Sequence, residues 1–497
     1  MRDHDTVVTE EFNGWWSRGG EDSVPPDHFV DCENVQFRQS SFKTRDGLDL
    51  YLAVSRPVRM YTFTQQQKQS LIILDDAGNF YDSGGLAPTT PILSIPGAQD
   101  FGMASINGRA FITPAKIHTD AFGNKFILGM TGQFVYVYDP TTGIARKAAG
   151  NPPVGTLTLA SGAAGSVEAG FHNFAVAYET NTGYITQIAG FAAINAPGST
   201  KIDVSNIPVS PDSFVVARRL VATVAIDPTE YTGDLQGYQF FFIPGGRIAD
   251  NTSTTATVDF FDADLLEDAS HLLDLLSEIP AQAGLNTYHN RMIGWASATD
   301  ISLMRVSYPG EPEAMDAVSG LLIAPLDGTP LTNGQEFRDV LYGFKKVRTY
   351  AWSDNGDVPT SWPLITIDEG IGASNHGIAT VLDSGGVNID FLIIVDYSGM
   401  MLFNGTYTRP ELSWKIRDFW IGLDRNNFLN IQILNDTIKQ LIVMTLPYLQ
   451  LLVGDYSNGL NPKDIRWTKW IFNVETTTIA LIETNKIVIG SHALYTP

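Results

Sequence analysis

The chain has 497 residues, more than a single hydrophobic core usually holds, so one to three domains are expected. Its 32 basic and 54 acidic residues give a formal net charge of −22, which argues against nucleic-acid binding by phosphate neutralisation. The single cysteine, Cys32, excludes an internal disulfide and a cysteine-based zinc site, and it fits folding in a reducing cytosol.

The sequence shows neither a secretory signal nor a membrane-spanning segment. The polar N-terminal residues lack the apolar core of a secretory signal, and the longest apolar stretch, residues 441–453, is too short to span a bilayer. We therefore expect a soluble protein without membrane insertion, which leaves its cell, if at all, by a route other than secretion.

Residues 1–47 are predicted to form an N-terminal arm rich in turns and aromatic residues. Trp15 and Trp16 stand beside Arg18 and several glycines, and Phe29 follows a Pro-Pro pair. Aromatic residues and arginine are enriched at protein interfaces. We predict that Trp15, Trp16, Arg18 and Phe29 are anchors, which either dock the arm on its own chain or join subunits in an assembly.

One hairpin pattern recurs along the chain: an apolar strand, a turn of Asp, Gly and Asn, and a second strand ending in an aromatic residue. It occurs in residues 71–81 and again in residues 391–403, with relatives through 48–150 and 281–497. Small antiparallel sheets in series are typical of a β-propeller. At roughly 40 to 50 residues per blade, these two segments predict six to eight blades, with six or seven the best estimate.

The segment between the two propeller segments has a different sequence pattern. Residues 151–262 follow a Pro-Pro linker and have longer strand spacing, and their length suits an inserted β-sandwich of the immunoglobulin or fibronectin kind. Residues 263–280 are predicted to be a connecting helix, because Leu265, Leu272 and Ile279 fall on one apolar stripe that Pro280 ends.

No catalytic, cofactor-binding or metal-ligating residue is predicted. The sequence has no zinc-protease, nucleophile-elbow or P-loop motif, and its eight histidines are scattered. Residues 75–79, and the pair Asp262 and Asp264, resemble fragments of calcium loops but lack the spacing of an EF-hand. Turn geometry explains the first, and a helix N-terminus the second. No carboxylate pair of the glycosidase kind stands out, so we predict that the protein is not an enzyme.

Three groups of segments, in this order, carry a resemblance: residues 12–19, 24–37 and 43–47; then 290–296 and 307–314; then 342–346, 353–356, 359–362 and 371–372. Together they resemble propeller-based tail structural proteins of tailed bacteriophages, and are most similar to the tail nozzle proteins of short-tailed phages. The shared motifs are structural turns and anchors, so no functional residue carries over.

The resemblance implies a virion tail protein, assembled in the cytoplasm of the host bacterium as a ring, often a homohexamer. Such a ring would contact the adaptor or portal and the fibres, and it would enclose the channel through which DNA is ejected. An acidic lining would let DNA pass without specific binding, since like charges repel. Two alternatives stay open: a receptor-binding tail fibre or tip module, and a glycan hydrolase.

Overall fold

The computed structural model describes residues 14–18, 25, 28–29, 31–38, 41–44, 48–65, 68–381, 390–446, 450–483, 486–491 and 494–496. They divide into two compact units. Unit 1 comprises the described residues of Met1–Arg146, Pro280–Met304 and Leu321–Pro497, and unit 2 comprises Lys147–Ile279 and Arg305–Gly320. Nearly all of the regular structure is antiparallel β, which confirms the expected all-β class.

Unit 1 begins with the short strands β1 (Val35–Arg38), β2 (Ser41–Thr44) and β3 (Asp49–Leu52), the first two of which pair as a hairpin. Sheet 1 follows, with β4 (Pro57–Gln65), β5 (Lys68–Asp75), β6 (Asn79–Asp82) and β7 (Leu93–Ser94) paired in chain order. Sheet 2 contains β8 (Asp100–Ile106), β9 (Arg109–Thr119), β10 (Lys125–Gly129), β11 (Tyr136–Asp139) and β12 (Ile144–Lys147).

Unit 2 contains one five-stranded antiparallel sheet. Its strands are β13 (Thr158–Thr180), β14 (Ala189–Ser205), β15 (Val215–Ala222), β16 (Phe241–Ile248) and β17 (Thr255–Val258), paired in the order β16-β15-β13-β14-β17. The two long strands carry several register shifts, which bend and twist a sheet. Side chains from all five strands therefore meet in one core, which includes Phe174, Ile202, Leu220, Ile243 and Val258.

The chain then forms sheet 3, with β18 (Gly284–Tyr288), β19 (Arg291–Trp295), β20 (Leu303–Tyr308), β21 (Glu311–Met315) and β22 (Leu321–Leu322). Sheets 4 and 5 are simple four-stranded meanders. They comprise β23 (Leu331–Phe337), β24 (Val340–Lys345), β25 (Arg348–Trp352) and β26 (Leu364–Asp368), then β27 (Ile378–Val381), β28 (Phe391–Asp396), β29 (Gly399–Phe403) and β30 (Tyr407–Thr408).

The described chain ends with two more sheets, after the short helix α1 (Arg417–Gly422). Sheet 6 comprises β31 (Ile433–Asp436), β32 (Leu441–Thr445), β33 (Gln450–Asp455) and β34 (Arg466–Ile471). Sheet 7 contains β35 (Thr478–Ile482), β36 (Lys486–Gly490) and β37 (Leu494–Thr496), and its fourth strand is β3 from the other end of the chain. A strand from the start of the expected propeller segment thus completes the last sheet.

The middle strands of unit 1 are apolar on both faces. In β5, for example, residues Leu71 to Leu74 are all fully buried rather than alternating. A strand that is covered on both faces reads as a continuous apolar run. Accordingly, separate apolar cores lie between consecutive sheets, such as sheets 1 and 2 or sheets 4 and 5.

Within the described residues, one strand from each of sheets 1 to 7 adjoins the next in a closed cycle, and these strands are here called the first strands: β4, β8, β18, β23, β27, β31 and β35. Sheets 1 and 2 are joined by Arg59 to Asp100, and sheets 3 and 4 by Asn286 to the Gly334 carbonyl. Sheets 2 and 3 approach so closely that a Cβ on Gly102 would lie 2.4 Å from Gly284 Cα. The cycle is completed by hydrogen bonds of Asn333 to Asn375, of Asn435 to Thr380, of Thr478 to Gln432, and of Met60 to Thr478.

The predicted connecting helix at 263–280 is wrong. This segment contains only two single-turn 3-10 elements, Asp262–Asp264 and Ser270–Leu273, and it belongs to unit 2 up to Ile279. Its backbone instead bonds to a neighbouring strand, for example from Phe242 N in β16 to Glu267 O at 2.9 Å. The Asp268 side chain also bonds the Ser270 backbone, a competition that disfavours helix.

The domain boundaries predicted from the sequence also differ from the boundaries of the two compact units. Unit 2 contains the expected insert at 151–262 and also residues 147–150, 263–279 and 305–320. The last of these segments includes the hairpin formed by the end of β20 and β21, in which Ser307 pairs with Met315. A hairpin at 307–315 carries the same sequence pattern as the others, so the sequence could not assign it to a unit.

Candidate functional site

The four predicted anchors all pack against their own chain. Trp15 is 5% exposed, and its ring centroid lies 4.7 Å from that of Phe419. Trp15 N donates to Trp467 O at 2.9 Å, and Lys469 Nζ lies 4.9 Å from the ring centroid. Trp15 is therefore part of the core of unit 1.

The other three anchors are half-buried on the same side of unit 1. Trp16 N donates to Phe29 O at 3.0 Å, and the Trp16 ring lies edge-on to Trp414 at 5.3 Å. The Arg18 guanidinium lies 4.4 Å from the centroid of the Trp414 ring. The structure thus brings Trp15, Trp16, Arg18 and Phe29 together as the docking point of the arm.

A polar cavity of about 300 Å³, here called the inner cavity, lies at the first strands of unit 1. Six of the seven sheets contribute to its wall, because it lies where their first strands converge. Its polar and aromatic lining consists of Tyr61, Asn286, Trp295, Asn333, Gln335, Asn375, His376 and Gln432.

A buried ionic network borders the inner cavity. Asp100 Oδ1 accepts a hydrogen bond from Arg59 Nε at 2.9 Å, and Asp100 Oδ2 lies 2.6 Å from His376 Nε2. Tyr61 Oη lies 2.7 Å from His376 Nδ1. Gln432 Oε1 accepts from Arg59 at 3.3 Å and from Thr478 at 2.7 Å. These groups come from sheets 1, 2, 5, 6 and 7, so the network ties five sheets together.

The protonation states follow from this geometry. Burial alone would raise the pKa of Asp100, but Arg59 and His376 outweigh it and hold that pKa well below its usual range. Burial, together with the nearby Arg59 charge, lowers the pKa of His376, so its imidazole is neutral near pH 7. His376 therefore donates from Nε2 to the Asp100 carboxylate and accepts from the Tyr61 hydroxyl at Nδ1. Burial and the Asp100 charge raise the pKa of Tyr61, which keeps that hydroxyl protonated.

The charges of the network therefore cancel. Asp100 and Arg59 neutralise each other, and His376 adds none. Each side-chain nitrogen of Arg59, each carboxylate oxygen of Asp100 and each ring nitrogen of His376 has a hydrogen-bond partner within the network, which suits a network that holds sheets together.

The fragments that resemble calcium loops are turns. Asp75 Oδ1 accepts from the backbone N–H groups of Ala77 and Asn79 at 2.9 and 2.8 Å. Asp75 Oδ2 accepts from Asn79 Nδ2 and Tyr81 Oη. The carboxylate is committed to the hairpin, as the sequence predicts. Asp262 lies in a 3-10 turn instead of at the expected helix, and its Oδ2 accepts from Ala225 N at 2.6 Å.

A cluster that the sequence did not predict brings His289, Glu336 and Asp339 together. Their ligand-type atoms lie within 4.8 Å of one another, at the turns that end β18 and β23. His289 and Asp339 are exposed, and structural zinc sites use four ligands. The cluster is a position where a metal could be held, but it offers only three ligand residues.

Sequence reasoning missed the ionic network almost entirely. Arg59 and Tyr61 are two residues apart in a predicted strand and therefore lie on the same face. A charged residue on a face that packs into the core was the one local signal of a buried polar network. Asp100 is 41 residues from Arg59, and His376 is 276 residues from Asp100. No local pattern links positions so far apart.

Among the described residues, no helix is both long and apolar enough to cross a bilayer. No protein-family model and no curated protein matches the chain. One solved structure with some likeness is the WD40 β-propeller domain of Doa1, at 13% identity, with a TM-score of 0.27, covering 59% of this chain and 88% of that one.

Proposed function

We propose that this protein is a non-enzymatic structural subunit of a tailed-phage virion, a ring-forming tail nozzle or hub protein around the DNA-ejection channel. The observation that carries the proposal is the location of its negative charge. Two further observations support the proposal. One is the sequence resemblance given above, and the other is that buried polar contacts join the sheets of unit 1.

Charge in the interior of the protein nearly cancels. The described residues include six buried bases and seven buried acids: Arg59, Arg218, Arg305, Lys345, Lys415 and Arg466, against Asp75, Asp82, Asp100, Glu313, Asp396, Asp436 and Asp455. Arg59, Lys345 and Arg466 are paired with buried or half-buried carboxylates. Nearly the whole net charge of −22 is therefore carried outside this buried set.

A strongly acidic surface repels the DNA backbone. A protein that binds DNA releases counterions through clustered Lys and Arg, and such a surface works against that. For a channel through which a polyanion must slide, weak contact is an advantage. The charge thus favours a passive conduit over a DNA-binding protein.

The proposal also covers the number of propeller blades in unit 1 and the domain type of unit 2. The closed cycle of first strands supports a seven-bladed β-propeller for unit 1, in which β3 completes the last blade. For unit 2, the shared core of the bent sheet supports a closed, sandwich-like form of the expected immunoglobulin or fibronectin kind, although its strands pair in one sheet. Both are part of the proposal.

The expected partners follow from the role. The subunit would associate with copies of itself in a homohexamer, and with adaptor or portal proteins and fibres in the virion tail. It would be assembled in the cytoplasm of the host bacterium.

Negative-stain electron microscopy of the purified full chain tests the proposal. We expect rings with a central opening, and no binding of a short DNA duplex even at low salt, where electrostatic contacts are strongest. A stable monomer that never enters virions would overturn it. Glycan binding by a peripheral particle protein would favour the receptor-binding alternative, and turnover of a polysaccharide would favour the hydrolase.

A further inference from the structure

The turns that end β18 and β23 bring an imidazole and two carboxylates to one point. His289 Nε2 lies 3.7 Å from Asp339 Oδ1 and 3.9 Å from Glu336 Oε1, and ligand-type atoms of all three residues lie within 4.8 Å of one another. Bonds from a cation such as Zn²⁺ to nitrogen and oxygen are about 2.0–2.2 Å long, so ligands of one ion stand about this far apart. The three side chains can therefore contact a single ion.

Two adjacent hairpins set the positions of these ligands. β18 and β19 are joined by the two-residue turn 289–290, and β23 and β24 by the two-residue turn 338–339. All four turn residues have positive φ, between 43° and 60°, as in the type I′ turns that match the twist of paired strands. The buried Tyr288 hydroxyl links the turns by donating to Asp339 O at 3.3 Å. Sheets 3 and 4 thus hold the ligands in fixed places.

Two of the ligands are also oriented within the cluster. The His289 ring stacks on the Tyr288 ring, with centroids 4.1 Å apart and 17° between the planes. The His289 backbone N–H donates to Glu336 Oε2 at 3.3 Å, while Glu336 Oε1 faces the imidazole. Hydrogen bonds of this kind to a ligating carboxylate are usual in metal sites, because they fix its orientation.

No basic side chain neutralises the two carboxylates. In the described part of the chain, neither Glu336 nor Asp339 forms an ion pair with a lysine or an arginine. Arg338 adjoins Asp339 in sequence, but its guanidinium donates to Asn404 O and Asp390 O at 3.2 and 3.1 Å. A bound cation would relieve the repulsion between the two negative charges.

The mixture of ligand types selects the kind of metal. Ca²⁺ and Mg²⁺ take oxygen ligands, whereas an imidazole ligand favours transition-metal ions such as Zn²⁺. Three protein ligands are too few for a closed structural zinc site, but they match an open site in which water completes the coordination. His289 and Asp339 are exposed, so water reaches this position.

We propose that His289, Glu336 and Asp339 form an open binding site for one divalent transition-metal ion, with Zn²⁺ the expected ligand. The ion would cross-link the turns of sheets 3 and 4. This inference concerns a site inside one subunit and does not depend on ring formation or on a role in virions.

Titration calorimetry of the full chain, first freed of metal with a chelator and then dialysed, tests the proposal. The probes are Zn²⁺, Mg²⁺ and Ca²⁺, each at up to about 1 mM. We expect Zn²⁺ to bind in a one-to-one ratio and at least about tenfold more tightly than Mg²⁺ or Ca²⁺. Equal affinities for the three ions would indicate attraction to an acidic surface and would overturn the proposal, as would the absence of saturable Zn²⁺ binding.

Two conservative variants locate the site. His289→Asn removes the imidazole but suits the positive φ of the turn, and Glu336→Gln keeps an acceptor for the His289 N–H. We expect each to weaken Zn²⁺ binding by about tenfold or more. The matched control is His271→Ala, because His271 also has a carboxylate neighbour, Asp268, but belongs to no such cluster among the described residues.

Thermal melting provides a second measurement and, with chelator present, checks that each variant folds. A ligand that binds the folded chain stabilises it by mass action, so Zn²⁺ should raise the Tm of the wild type and of His271→Ala more than that of His289→Asn. Zn²⁺ binding that is unchanged in both cluster variants, or weakened equally by His271→Ala, would overturn the assignment to these turns.

Discussion

His376 Nε2 lies 2.6 Å from Asp100 Oδ2, although 276 positions separate the two residues in the chain. His376 lies just before the first strand of sheet 5, separated from it by Gly377, and Asp100 begins the first strand of sheet 2. The contact therefore spans the closed cycle of first strands instead of joining neighbours along it. Arg59 completes the group from sheet 1, so a single carboxylate connects three sheets.

Replacing Asp100 is expected to destabilise unit 1 strongly. Asp100→Asn keeps the shape but leaves the buried charge of Arg59 unpaired, which costs about 3–5 kcal/mol. The free energy of unfolding in urea measures the effect. Asp49→Asn is the control, because Asp49 is exposed and its loss should change stability by about 0.5 kcal/mol or less. Equal effects of the two substitutions would contradict a structural role for the network.

The stability of the protein should depend on His376 at mildly acidic pH. Burial lowers the folded-state pKa of His376, so below about pH 6.5 the unfolded chain takes up a proton that the folded chain does not. Stability present above that pH is therefore lost as the pH falls, by at most about 1.4 kcal/mol per unit.

His376→Gln is expected to remove this component of the pH dependence between pH 5 and 7. The relevant measurement is the free energy of unfolding across that range, compared with the exposed control His289→Gln. Arg59, Asp100 and Tyr61 are the charged or titratable groups that face His376. Identical slopes in the wild type and His376→Gln would show that His376 is not held neutral by burial.

The adjacent residues Asp75 and Asp76, at the turn between β5 and β6, test whether the Asp75 carboxylate stabilises that turn. Asp75 is buried and accepts four hydrogen bonds in its turn, whereas Asp76 is exposed. Asp75→Ala should cost about 2–3 kcal/mol because it leaves several donors without partners. Asp76→Ala should change little. Calcium should not stabilise the wild type at this turn, and a calcium-dependent rise in melting temperature that Asp75→Ala abolishes would overturn the assignment as a turn.

A substitution of Trp15 tests whether the N-terminal arm docks on its own chain or joins subunits. Because Trp15 is buried against Phe419 in its own chain, Trp15→Ala should destabilise the isolated subunit by about 3–5 kcal/mol. Ile421→Ala is the control, since Ile421 is 61% exposed in the same region. If Trp15→Ala left the subunit stable and only impaired assembly, Trp15 would be an intersubunit anchor.

Much of the fold could be predicted because its signals are local. Alternation and apolar runs predicted the strands, and Asp, Gly and Asn predicted the hairpin turns, as at residues 75–79, where one carboxylate satisfies the backbone beside it. The aromatic cluster of the arm was likewise visible in its composition, although only the structure placed Trp15 in the core of its own chain.

The sequence by itself determined the β class, the local hairpins and the acidic charge, because each depends on composition or on residues a few positions apart. Tertiary structure alone decided the rest. It turned the helical pattern at 263–279 into 3-10 turns, because neighbouring strands supplied hydrogen-bond partners that outweighed helical periodicity. It also buried Arg59, Asp100 and His376 together, since only the converging first strands bring such distant residues within bonding distance.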